Sequence, residues 1–265
     1  MTDIQPQDLS ILLIEPSDTQ SKIIVNQLKQ HDVTNISLVQ NFTTALEAIE
    51  QHHYDLIASS MYFEEGTAHA LLTQAKAGKQ NAETPFMLVS SEHKREHLEE
   101  YKQSGVVAIL PKPFTSQHLH AALNNAIDLL SDNELELEYF DVHEIRVLLV
   151  DDSRLARNHI KRVLNSLGLL KVTEAADGSE AIELLKEDMF DLVVTDFNMP
   201  EVDGRELSKY VREQSTQSHI PILMVTSESN DAHLANIEQD GVNALCDKPF
   251  EPQYVKQLLY RLLEH

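Results

Sequence analysis

The chain contains one cysteine, Cys246, and no tryptophan in 265 residues. A single cysteine excludes an internal disulfide and offers no thiolate spacing for zinc. No apolar run approaches the roughly 20 residues needed to span a bilayer. The start, Met1-Thr2-Asp3-Ile4-Gln5, lacks both a basic stretch and an apolar stretch, so no signal peptide is expected. Together these absences lead us to expect a cytoplasmic protein with no membrane attachment. Basic residues are also scarce, with 21 Lys and Arg against 43 Asp and Glu and a formal charge of −22. Neither half carries the basic stripe of a nucleic-acid surface, so direct nucleic-acid binding is not expected. The thirteen histidines include no helix-borne pair with a matching carboxylate, which argues against a histidine metal site.

What is abundant is acid, and it is evenly spread. Residues 1–130 hold 8 basic and 16 acidic side chains, residues 146–265 hold 13 and 21, and both therefore carry −8. The remaining −6 lies in residues 131–145. This stretch reads as a solvated acidic linker. The alternatives are a continuation of the preceding helix, or packing of Leu135, Leu137 and Phe140 on a domain face.

The two halves are copies. Glu15, Ser60, Ser90 and Lys112 stand in register with Asp151, Asp196, Thr226 and Lys248 at a constant offset of 136 residues. The intervals are 45, 30 and 22 residues in each half. Pro85-Phe86-Met87-Leu88-Val89-Ser90 parallels Pro221-Ile222-Leu223-Met224-Val225-Thr226, and Lys112-Pro113-Phe114 parallels Lys248-Pro249-Phe250. A period of domain size means two copies of one domain rather than a solenoid. We expect domains at 1–130 and 146–265.

In the second copy, Arg146-Val147-Leu148-Leu149-Val150 is an apolar run without alternation, the pattern of a buried parallel strand. Ser153 is placed to cap a helix whose stripe is Leu155, Ile160, Val163, Leu164 and Leu167, stopped by Gly168. Further strands are expected to end at Asp196, Thr226 and Lys248, with a helix around Ala181–Leu185 and a last helix from about Glu251. Strands alternating with helices predict an α/β fold, a parallel sheet with helices on both faces. Asp151, Asp152, Asp196, Thr226 and Lys248 all fall at carboxyl ends of predicted strands, the edge where open α/β sheets bind ligands. Three carboxylates there suit Mg²⁺, a hard cation that takes one or two carboxylates with a backbone carbonyl and water. One carboxylate can act as a nucleophile toward phosphorus. The transferred phosphoryl group needs a cation and hydrogen-bond donors, which Lys248 and Thr226 supply.

The second half resembles the receiver domain of bacterial two-component response regulators, close to the single-domain chemotaxis type. The resemblance runs from Arg146 onward through Val150-Asp151-Asp152, Asp196-Phe197-Asn198-Met199-Pro200-Glu201-Val202-Asp203-Gly204, Val225-Thr226 and Lys248-Pro249-Phe250. It implies a flavodoxin-like (βα)5 fold with strand order 2-1-3-4-5. It implies Asp196 as phospho-acceptor and Mg²⁺ held by Asp152, Asp196 and the backbone carbonyl of Asn198, with Asp151 acting largely through water. Thr226 would then hydrogen-bond the phosphoryl group and Lys248 would contact it ionically. By the same resemblance Asn198 and Glu228 are the pair seen in chemotaxis-type receivers that lose phosphate quickly, the alternative being ordinary surface residues. Leu245 departs from the family's usual Tyr or Phe, which weakens the expectation of an aromatic switch.

The first half resembles the same fold from about Leu9 to Leu130, with its chemistry erased. Ser60 stands at the acceptor position and Pro16 at a metal-ligating one, and Glu15 is expected to pair with Lys112. This pseudo-receiver is assigned an interaction or dimerisation role. The whole reads as a stand-alone response regulator that signals by protein–protein contact. Its expected partners are a sensor histidine kinase or phosphotransfer protein and a downstream effector, with a homodimer as a further expectation. No enzymatic activity is expected beyond catalysis of its own phosphorylation and dephosphorylation. The alternatives are a phosphate sink, a relay intermediate, or the receiver portion of a longer protein.

Overall fold

The computed structural model describes residues 4–131, 134–227 and 241–264. It divides into two compact units, Met1–Tyr101 with Val106–Ser131, and Lys102–Gly105 with Asp132–His265. In the first, strands β1 (Ser10–Ile14), β2 (Asn35–Val39), β3 (Leu56–Ser60), β4 (Phe86–Ser90) and β5 (Ala108–Pro111) alternate with helices. The helices are α1 (Asp18–Gln30), α2 (Phe42–Gln51), α3 (Ala68–Ala77), α4 (Arg95–Lys102) and α5 (Ser116–Leu130). The second repeats the series with β6 (Arg146–Val150), α6 (Arg154–Ser166), β7 (Lys171–Ala175), α7 (Gly178–Glu187) and β8 (Leu192–Asp196). It continues with α8 (Gly204–Glu213), β9 (Ile222–Thr226), β10 (Ala244–Asp247) and α9 (Pro252–Glu264).

Each unit holds one five-stranded parallel sheet, in the orders β2-β1-β3-β4-β5 and β7-β6-β8-β9-β10. These are the same flavodoxin-like order, with the reversal of direction between the first and third strands of each copy. The central strands are apolar on both faces because helices cover both. Val147 to Val150 and all five residues of β8 and of β9 are buried. Strand β7 lies at the edge and is half exposed, which is why its mixed sequence Lys171-Val172-Thr173-Glu174-Ala175 carries no clear strand pattern. No helix among the described residues is long and apolar enough to cross a membrane.

Helix starts repeat at the same offset. Ser17 and Ser153, Asn41 and Asp177, and Thr67 and Asp203 each accept a hydrogen bond from a first-turn backbone N–H. In residues 134–145, Leu135, Val142 and Ile145 are buried and Leu137 is half-buried, whereas Tyr139 and Phe140 are exposed. The Leu135 N–H donates to the Leu167 carbonyl at 2.9 Å.

A buried amide recurs in both units and ties the end of the second helix to the segment that leads into the third strand. Asn81 Nδ2 donates to the carbonyls of Ile49 and His52, both at 2.7 Å, and its Oδ1 accepts from the Tyr54 N–H at 3.0 Å. Gln217 does the same with Leu185 (3.0 Å), Asp188 (2.8 Å) and Phe190 (2.8 Å). Truncating either amide strands two carbonyls and one N–H away from water. Asn81→Ala or Gln217→Ala is therefore expected to cost about 3 kcal/mol, read as a lower urea midpoint for the unit that carries it.

A small and a large residue have exchanged places between the copies. A Cβ at Gly178 would lie 2.5 Å from the Val202 carbonyl oxygen and 2.6 Å from its Cγ1. The positions equivalent to Gly178 and Val202 are Phe42 and Gly66, and there a Cβ at Gly66 would lie 2.5 Å from the Phe42 ring. The same space is filled from opposite sides.

Candidate functional site

The strand order brings the carboxyl ends of β6 and β8 side by side at the reversal point of the second sheet. Asp151 follows β6 directly, Asp196 ends β8, Thr226 ends β9 and Lys248 follows β10. All four are buried, and Asp152 is exposed beside them. Lys248 Nζ lies 2.9 Å from Asp151 Oδ2 and 3.1 Å from Asp196 Oδ2. Asp151 Oδ1 accepts from the Ser153 N–H at 2.8 Å, and Asp196 Oδ1 from the Phe197 N–H at 2.9 Å. Lys248 is itself fixed by its backbone N–H, which donates to the Thr226 carbonyl at 2.7 Å. The Lys248–Pro249 peptide is cis, as is Lys112–Pro113 in the first unit.

One atom of the cluster stands out. Asp196 Oδ2 is buried and has no hydrogen-bond donor among the described residues. The approach of Lys248 gives it charge compensation at an angle that does not make a hydrogen bond. Burial pushes the Asp196 carboxyl up to about 7, against the opposing pull of Lys248 and reinforced by the neighbouring Asp151 charge. Asp151 is likewise raised, chiefly by burial. Two buried carboxylates facing one ammonium leave negative charge in excess, which a divalent cation is suited to neutralise. Asp151, Asp152 and Asp196 present carboxylate oxygens within 4.8 Å of one another, compatible with a shared hard cation.

The loop that follows β8 is folded tightly over this edge. The Gly204 N–H donates to the Phe197 carbonyl at 3.0 Å, and a Cβ there would sit 2.2 Å from the Asp196 carbonyl oxygen. Only glycine fits that approach. Asn198 is exposed in this loop, and Leu245 is half-buried against the core that Met224 and Val242 help to form. Glu228 lies outside the described residues.

The equivalent edge of the first unit is closed on itself. Glu15 Oε2 accepts from Ser60 Oγ at 2.5 Å and pairs with Lys112 Nζ at 2.5 Å, while Lys112 Nζ also donates to Ser60 Oγ at 3.2 Å. Glu15 Oε1 accepts from the Ser17 N–H at 3.0 Å. The longer glutamate side chain thus reaches the place that a third-strand carboxylate would fill. Ser90 Oγ donates to Met61 Sδ at 3.3 Å and accepts from the Glu92 N–H at 3.0 Å. Pro16 is exposed. The expected pairing of Glu15 with Lys112 is present, and among the described residues no second group of three metal-ligating side chains accompanies it.

Sequence reasoning missed one contributor to the second site. Arg157, on α6, donates from Nη1 to the backbone carbonyl of Asp151 at 2.5 Å. The signal was present in the repeat, because the equivalent residue of the first copy is Ser21.

A family model described as "Response regulator receiver domain" matches residues 11–124 and again 147–260. Chemotaxis protein CheY of Pseudomonas aeruginosa is 38% identical over 120 residues, covering 45% of this chain and 97% of that protein. A CheY homolog of Campylobacter jejuni is 42% identical over 120 residues, again 45% of this chain and 92% of that one. Among solved structures, Vibrio cholerae chemotaxis protein CheY4 is 36% identical over 45% of this chain and 98% of its own, with a TM-score of 0.42.

Proposed function

The chain belongs to the response regulator receiver family, as a two-component response regulator with two receivers in tandem, and from that premise we propose that Asp196 alone takes up the phosphoryl group. The observation that carries this reading is the buried Asp196 Oδ2, unengaged by any hydrogen-bond donor among the described residues and set between Lys248 and two further carboxylates. In the transfer, an Asp196 oxygen forms a new bond to phosphorus as the bond from phosphorus to the donor breaks. With a phosphohistidine donor the imidazole leaves with the bonding electron pair and takes a proton from solvent.

Asp151, Asp152 and Asp196, with the Asn198 carbonyl from the loop beyond β8, would hold Mg²⁺. Bound there, the cation supplies positive charge that keeps the carboxylates ionised and neutralises phosphoryl oxygens. Lys248 supplies a fixed positive charge within reach of Asp196, and burial makes that charge act at low effective dielectric. The Thr226 hydroxyl, at the end of the adjacent strand, is the donor toward a phosphoryl oxygen. Phosphorylation then changes charge and contacts at the ends of β8, β9 and β10, a local event that shifts the population of surfaces presented to an effector. The donor is a sensor kinase or a phosphotransfer protein.

The first unit serves as a pseudo-receiver that contributes surface rather than chemistry. Its serine hydroxyl donates to Glu15, but Lys112 and the Ser17 N–H share that carboxylate, and among the described residues no group of three metal-ligating side chains stands beside it to bring a phosphoryl group in.

The test is incubation of the full chain with Mg²⁺ and a small phosphoryl donor, followed by intact-mass and peptide analysis. One phosphoryl group per chain is expected, on the peptide containing Asp196. Label on Ser60 would sink the assignment. Calorimetric titration is expected to give one Mg²⁺ per chain, lost in Asp152→Asn and retained in Glu15→Gln.

A further inference from the structure

Three charged side chains lie beside the acid pair of the second unit and have no counterpart in the first. Arg157 and Lys161 stand one turn apart on α6, and Glu174 is on the neighbouring strand β7. Lys161 Nζ donates to Glu174 Oε1 at 2.7 Å. Arg157 Nε lies 3.4 Å from Glu174 Oε2, near enough for attraction but not aligned as a hydrogen bond. Arg157 is largely buried, and its Nη1 reaches the Asp151 carbonyl.

That carbonyl belongs to the peptide joining Asp151 to Asp152. A trans peptide is a rigid plane, so fixing its oxygen fixes the direction in which the next residue leaves it. The remaining polar groups of Asp151 are also held. Its N–H donates to the Ala175 carbonyl at 3.3 Å, Ser153 N–H binds one carboxylate oxygen and Lys248 the other. Asp152 is exposed, so packing does not fix the direction of its side chain. Its presentation therefore depends on the backbone that Arg157 grips. In the first copy the three equivalent positions are Ser21, Val25 and Leu38. The Ser21 hydroxyl there donates to the Asp18 carbonyl of its own helix at 3.0 Å. The copy that lacks the metal-ligating acids also lacks every member of this group.

We infer that Arg157 is a positioning residue for the divalent cation, orienting the Asp151–Asp152 peptide while Glu174, itself paired with Lys161, holds the guanidinium in place. This rests on the reading of Asp151, Asp152 and Asp196 as the Mg²⁺ site. Outer groups of this kind commonly change metal affinity by tenfold or more.

The experiment is calorimetric Mg²⁺ titration of the full chain, with thermal unfolding in the absence of cation as the control for folding. Arg157→Ala is expected to bind Mg²⁺ about tenfold more weakly, with its cation-free midpoint within a few degrees of the parent. Arg157→Lys should fall between the two, since an ammonium reaches the carbonyl with a single donor and a less rigid approach. In phosphorylation with a small donor, Arg157→Ala should need more Mg²⁺ for half-maximal rate and recover the parent rate when Mg²⁺ saturates. A purely structural arginine would instead lower the midpoint and leave affinity unchanged. If Arg157→Ala binds as tightly as the parent while Asp152→Asn does not bind, the positioning role is wrong and the metal reading stands. If the parent itself binds no Mg²⁺, the metal reading is wrong and this inference falls with it. Should Arg157→Ala fail to fold, Glu174→Gln gives the answer: a two- to threefold loss of affinity supports the role, and parental affinity overturns it.

Discussion

Asp196→Asn is expected to abolish phosphoryl uptake and, in the absence of divalent cation, to make the second unit more stable than the parent. The first effect follows because an amide nitrogen or carbonyl is not the carboxylate nucleophile the transfer needs. The second follows from burial. The Asp196 carboxyl is pushed up to about 7, mainly by desolvation, whereas an unfolded aspartate titrates near 3.8. A group whose folded value is raised favours the native state only while protonated. Its contribution therefore falls as pH climbs from about 4 to about 7 and stays low above that. Asparagine removes the penalty, and the gain should be about 2 kcal/mol at pH 8, vanishing toward pH 4. Saturating Mg²⁺ should narrow or reverse the order, because the cation stabilises the state it binds and the variant has lost a ligand. Thermal unfolding at several pH values, with and without Mg²⁺, reads both effects. A variant less stable than the parent at pH 8 without cation would contradict the electrostatic account.

Lys248→Met is expected to act in the opposite direction and more strongly. The ammonium is buried between Asp151 and Asp196, and its removal leaves two buried carboxylates without their shared cation. Breaking a buried pair from one side typically costs about 3–5 kcal/mol. Both carboxyls already titrate above the ordinary range, and losing Lys248 raises them further. The deficit should therefore be greatest above pH 7 and shrink as the pH falls toward 4 and the carboxyls become neutral. Adding Asp196→Asn to Lys248→Met should restore part of the loss. Urea unfolding across that range would reveal a deficit that grows toward acid if the charge argument were wrong.

The legible part of the molecule is the part governed by short-range pattern. Runs such as Arg146–Val150 and Ile222–Val225 announce buried strands because both faces are covered. The residue closing each run is polar because it emerges at the ligand edge. The offset of 136 turned one such reading into two and exposed the losses at Pro16 and Ser60. It also suggested the Glu15–Lys112 pair that closes the first site. What escaped was decided by three-dimensional proximity. Gln217 and Asn81 look like ordinary loop amides, yet each is buried and satisfies three backbone groups far away in sequence. Arg157 looks like a solvent-facing helix residue until α6 is laid against the end of β6. Strand β7 has no pattern of its own because an edge strand is asked to bury only part of its surface.

The exchange of bulk between Gly178 with Val202 and Phe42 with Gly66 bears on the history of the gene as well as on its product. Tandem copies of one sequence invite recombination, and gene conversion tends to make them alike. A crossover falling between these two positions would yield one chimera with phenylalanine facing valine and its reciprocal with glycine facing glycine. The first is overfilled and the second hollow, and either defect costs about 1–3 kcal/mol. Neither partner can be exchanged alone without harm, so a chimera joined between these positions would be less stable than either parental unit.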